Sequence, residues 1–165
     1  QRWRAWNRPT PLQDRLSSYR RKVVQGRHPQ ACPRGPERAV SAGQLADLLN
    51  TFRDFIGVRD AYYLNSNITM PLTRPHRLSV AELVGPQSLH FFVSHFWGTS
   101  VRYFVDTIRQ HAQIERGDGW HTVAYWICYM SNNQWDVQAE VGDGHWQHSS
   151  FYLALRSGKC RATCM

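Results

Sequence analysis

The sequence predicts an α/β fold, a parallel sheet with helices packed on its faces. Residues 89–95 and 123–130 are near-continuous apolar runs, the pattern of strands covered on both sides. Between them Val101, Phe104, Val105, Ile108 and Ala112 recur at helical spacing, with Arg102, Arg109 and Gln110 off that stripe. Strand, amphipathic helix, strand is a βαβ unit. Its crossover is almost always right-handed, which makes its two strands parallel.

The other elements follow in chain order. Residues 1–40 are rich in Arg and Pro (Pro9, Pro11, Pro29, Pro33, Pro36). They read as a basic leader, disordered or extended, apart from a possible short helix over 12–24. The domain itself is expected over 41–165. Ser41 and Gln44 form a capping box that opens a helix. Leu45, Leu48, Leu49, Phe52 and Ile56 make its apolar stripe, and Gly57 supplies the stop. Residues 58–78, broken by Pro71 and Pro75, read as irregular or short strand. Ser79 and Glu82 form a second capping box, on a helix that Gly85-Pro86 ends. After the βαβ unit come a polar loop over 141–148, a short helix over 149–156, and Gly158. Ala162-Thr-Cys-Met165 then reads as the first residues of a third strand. With no Met at residue 1, the chain reads as a fragment, cut short within its sheet.

Composition bounds the function classes. A chain of 165 residues, 42% apolar and 13% aromatic, can build one domain with a real core. The net charge of +8 suggests nucleic acid until it is divided. Residues 1–40 hold nine Arg, one Lys and two acids, which accounts for all of it; residues 41–165 are balanced. Trp3, Trp6 and the arginines from Arg2 to Arg38 could serve a single strand by stacking and phosphate contact, or form a solvated linker. No run reaches the ~20 apolar residues of a membrane span, and no secretory leader opens the chain. Of Cys32, Cys128, Cys160 and Cys164, Cys128 falls in an expected buried strand, which favours a reducing, intracellular and cytoplasmic setting. His145-x-x-His148 and Cys160-x-x-x-Cys164 have ligand-like spacings, but neither has a partner pair, and no metal site is expected.

Polar clusters end both strands. In open parallel sheets ligands bind beyond the carboxyl ends, so Ser94, His95, Trp97 and Gly98 are expected to face one crevice with Asn132, Asn133, Gln134 and Asp136. Ser94 and His95, adjacent on a strand, are expected to point to opposite faces. Gly98 allows positive φ or close backbone approach. The helix opening at Thr99-Ser100 offers free N–H groups to an anion. Asn132-Asn133-Gln134 suits either recognition of a neutral base or nicotinamide or stapling of a turn. Asp136 and Glu140 read as acids that each salt-bridge locally, with an acid–base pair as the lesser alternative.

Residues 91–98, Phe-Phe-Val-Ser-His-Phe-Trp-Gly, with Phe104-Val105, His111-Ala112 and the run from Tyr125 to Gln134, resemble a family of uncharacterised algal proteins reading FVSHxWG…FVxxIxxHA…YWxCxxxNNQ. Tyr63-Leu64, Pro71-Leu-Thr73 and residues 81–84 extend the likeness over roughly 60–165. More distantly the pattern is similar to TIR (Toll/interleukin-1 receptor) domains and to the fungal heterokaryon-incompatibility (HET) domain. Ser94, Trp97 and Gly98 fit the first HET motif. Trp126, Ile127, Asn133 and Gln134 fit the second, with Ser131 where HET has Cys. The resemblance implies a flavodoxin-like parallel sheet and a signalling role, with NAD as a possible substrate or self-association as the alternative. The glutamate that cleaves NAD in catalytic TIR domains has no match here, and Glu140 follows the wrong strand to replace it. No catalytic residue is therefore assigned.

Overall fold

The computed structural model describes residues 8–165. Trp3 and Trp6, invoked for nucleic-acid stacking, lie outside the described residues. Helix α1 (Pro11–Val24) opens on a capping box between Thr10 and Gln13, with Pro11 in its first turn, where the missing N–H costs nothing. Its Leu16 and Tyr19 are buried, and Tyr19 meets Phe52 edge-on at 5.4 Å. Arg20 donates to the carbonyls of Leu72 and Pro71 at 2.7 and 2.8 Å. This part of the expected leader therefore belongs to the core. Composition had counted its arginines as solvated charge, whereas several of them satisfy backbone carbonyls.

Strand β1 (Val40–Ser41) leads into α2 (Ala42–Ile56), which has the expected capping box and buries Leu45, Leu48, Phe52 and Ile56. The segment expected to be irregular is instead helical from α3 (Ala61–Leu64) through a π turn (Asn65–Thr69) to α4 (Met70–Thr73). Asp60 caps its start by accepting from the Tyr63 N–H at 3.0 Å. The wide π turn precedes Pro71, which has no N–H to give to an α ladder. Helix α5 (Val80–Val84) carries the second capping box.

Strand β2 (Phe91–Val93), α6 (Val101–Arg116) and β3 (Ala124–Ile127) form the βαβ unit. All five residues of the α6 stripe are buried. The chain then makes the short helices α7 (Cys128–Ser131), α8 (Val137–Glu140) and α9 (Ser150–Arg156), and ends in β4 (Ala162–Cys164). The sheet order is β1-β3-β2-β4. Strand β2 runs parallel to both neighbours, with Phe91 beside Tyr125 and beside Ala162. Strand β1 is antiparallel to β3. The fold is thus α/β with flanking helices, but the sheet is mixed rather than wholly parallel. A two-residue strand is too short to show any period, and only its pairing with Tyr125 and Ala124 defines it.

Side chains alternate across the sheet. Phe91, Val93, Tyr125 and Ile127 enter a large core with α1, α2, α5 and α6. Phe92, Ala124 and Trp126 face the other way with Leu89 and Ala154, where Phe92 and Trp126 stack at 4.8 Å. Both faces are covered, as the apolar strand composition requires. Among the described residues no helix is long and apolar enough to cross a membrane.

Candidate functional site

Strand β2 stops at Val93, so the loop 94–100 leaves the sheet's carboxyl edge and returns into α6. A cleft of about 240 Å³ opens there, against α6 and beside the end of β4. Ser94, His95, Phe104, Ile108 and Cys164 line it, and Phe96, Tyr103 and Met165 border it. Ser94 is anchored through its N–H to the Cys164 carbonyl at 2.9 Å. Ser94 and His95 were expected on opposite faces, yet both line this cleft, because strand alternation ends one residue before them.

His95 packs between Phe104 and Tyr129, with ring centroids at 4.5 and 5.3 Å. Burial lowers its pKa below the ordinary value, which keeps the imidazole neutral near pH 7. Its Nε2 is buried without a hydrogen-bond partner among the described residues, as are the Tyr129 hydroxyl and Asn132 Oδ1. Trp97 packs between Tyr62 and Tyr129 at 5.3 and 5.7 Å, and its carbonyl accepts from the Ala61 N–H. Burial pushes the Cys128 thiol pKa up. Gly98 has no positive φ, and a Cβ there would meet the far edge of the exposed Phe96 ring, which would have to turn aside. The first N–H of α6 is already used, Val101 donating to the Arg59 carbonyl at 3.0 Å. That leaves this helix start less open to an anion than the sequence suggested.

The second polar cluster goes elsewhere. Strand β3 ends at Ile127, whose N–H donates to the Ser131 hydroxyl at 3.0 Å, and the chain coils into α7. Asn133 accepts from the Trp135 N–H at 3.0 Å and donates to the Arg77 carbonyl at 2.9 Å. The Trp135 indole N–H bonds Thr73 at 3.0 Å, and Gln134 accepts from Asn65 at 3.4 Å. Asn132 is buried and Asp136 is exposed. These amides staple the turn to the helical segment before α5. None of Asn132, Asn133, Gln134 and Asp136 lines the cleft that Ser94 and His95 share, and Tyr129 is the link between the two clusters.

One group was invisible in the sequence. Arg38, Glu82 and Glu140 are all buried. Arg38 reaches Glu82 at 3.1 Å and Glu140 at 2.5 Å, and donates twice to the Cys32 carbonyl at 2.6 and 3.1 Å. Glu82 also accepts the N–H groups of Cys32 and Ser79, and Ser150 donates to Glu140. Glu140 is therefore held in a structural network away from the cleft. Its partner lies 102 residues earlier, in a segment read as a leader, so no local spacing announces it.

All four cysteines are free thiols. Among the described residues no three His, Cys, Asp or Glu side chains are grouped to hold a metal ion. No family model, curated protein or solved structure matches this chain.

Proposed function

We propose that this chain is a TIR/HET-like signalling-type module that associates with a second copy of itself through the rim of the cleft. The observation that carries the reading is the rim itself. Phe96 and Tyr103, 73% and 74% exposed, stand on either side of a recess lined largely by apolar side chains. Nearby, Tyr62 is 56% exposed over Trp97. Grouped, exposed aromatics around an apolar hollow mark an interaction surface. Strand β4, an edge of the sheet among the described residues, borders the same cleft. Two copies meeting at β4 about a two-fold axis would pair antiparallel and bring their rims together.

The chemistry of the cleft favours association over catalysis. Cleaving the glycosidic bond of NAD builds an oxocarbenium-like charge that a carboxylate ordinarily stabilises, and among the described residues no Asp or Glu lines the cleft. One observation favours a second reading, binding of a nicotinamide-sized ring: the half-buried imidazole of His95 and the aromatic rings of Phe96, Tyr103 and Phe104 line the same cleft.

An NMR dilution series tests the proposal. Self-association predicts that the resonances of Phe96, Tyr103 and residues 162–164 move with protein concentration and that added NAD leaves them still. Spectra unchanged by dilution, with NAD moving His95 and Ser94, would replace it by the second reading.

A further inference from the structure

We propose a second binding site, for the phosphate groups of a small phosphorylated ligand, in the groove between α2 and α6. The two helices pack side by side. On the outer side of their seam lies a recess of about 240 Å³ whose polar lining is Asn50 and Arg53 from α2 and Arg102, Asp106 and Arg109 from α6. The spacing explains the convergence: 50 and 53 are one turn apart on α2, and 102, 106 and 109 share one face of α6. Three guanidinium groups meet one carboxylate, which leaves the recess with an excess of two positive charges.

Only one of those charges is answered. Arg109 pairs with Asp106 at 3.0 Å. The guanidinium groups of Arg53 and Arg102 have no hydrogen bond or ion pair among the described residues, whereas those of Arg15, Arg20 and Arg27 each bond backbone carbonyls. Two unengaged forks facing one polar recess fit a phosphate, whose oxygens accept paired N–H bonds in the same planar geometry. Asn50 adds an amide that can donate to a further oxygen. A recess of this size suits a phosphate or diphosphate moiety, with the remainder of the ligand projecting outward. It lies on a different face of α6 from the aromatic-rim residue Tyr103, and its failure would not touch the self-association reading.

The probe is inorganic pyrophosphate, titrated into the full ¹⁵N-labelled chain near physiological ionic strength, where diffuse attraction to exposed arginines is screened. Binding should shift the amides of Asn50, Arg53, Arg102 and Arg109. The double substitution Arg53→Gln/Arg102→Gln should weaken it roughly tenfold or more, the scale of losing charge-assisted hydrogen bonds. A charge-matched control, Arg21→Gln/Arg74→Gln, removes two exposed arginines elsewhere and should leave the affinity unchanged. Equal weakening in both variants would reduce the effect to net charge and overturn the proposal, as would shifts confined to other residues or no shift at all. Much tighter binding of a phosphoserine peptide than of pyrophosphate would overturn the small-ligand assignment.

Discussion

Replacing Arg38 by Met removes a cation from a buried group in which, among the described residues, it alone answers two carboxylates. The Arg38 side chain is 8% exposed, that of Glu82 is fully buried and that of Glu140 is 3% exposed. The substitution breaks the contacts at 3.1 and 2.5 Å and the two bonds to the Cys32 carbonyl, while Met fills much of the space. Taking one partner from a buried ion pair costs about 3–5 kcal/mol, because the remaining charge has neither water nor a counter-charge. Against a total stability of about 5–15 kcal/mol, this is a large share. With a urea m-value of about 2 kcal/mol/M, the unfolding midpoint should fall by about 1.5–2.5 M, read by tryptophan fluorescence. Adding Glu82→Gln and Glu140→Gln to Arg38→Met should restore part of the loss, since the orphaned charges are gone. A midpoint shift corresponding to less than about 1 kcal/mol, or no recovery in the triple variant, would refute the reasoning.

Three other outcomes follow from particular contacts. Asn133→Ala loses the bonds to Arg77 and Trp135 and should cost about 1–2 kcal/mol in the same unfolding assay, with no change in the resonances of the cleft. Tyr129→Phe removes a buried hydroxyl that lacks a partner and should leave stability unchanged or raise it by up to about 1 kcal/mol; a clear loss would mean the hydroxyl is bonded. Burial lowers the pKa of His95, and burial with nearby Arg161 and Arg116 lowers that of His90, below the ordinary 6.5. The unfolded chain then binds protons more readily, so stability is complete above about pH 6.5 and declines as pH falls toward the folded pKa values. His95→Phe should flatten that decline in pH-dependent denaturation.

Local chemistry made much of the fold legible. The capping boxes at Ser41 and Ser79 form as expected, because each closes within four residues. The α6 stripe is buried from Val101 to Ala112, and the two strands flanking it are parallel neighbours. What escaped depends on distance along the chain. Strand β1 exists only through its pairing with β3, and the docking of α1, a helix the sequence allowed over 12–24, rests on Tyr19 against Phe52 and Arg20 on Leu72. The site divided for a similar reason. Apolar residues continue through Cys128 to Met130, so the sequence extends the second strand, but the Ser131 hydroxyl captures the Ile127 N–H and turns the chain early. That turn takes Asn132, Asn133 and Gln134 away from Ser94 and His95. The grouping of Arg38 with Glu82 and Glu140 in one buried network was not legible, because such residues are ordinarily assigned to the surface.

The central claim is that the aromatic rim joins two copies of this chain. Sedimentation equilibrium over roughly micromolar to millimolar protein, the range of weak reversible association, tests it most directly when wild type is compared with Phe96→Ser/Tyr103→Ser. Both residues are largely exposed, so the substitutions leave the core intact. The account predicts a concentration-dependent dimer in the wild type and a monomer throughout in the variant. A wild-type monomer at every concentration, or a dimer equally strong in both proteins, would contradict it.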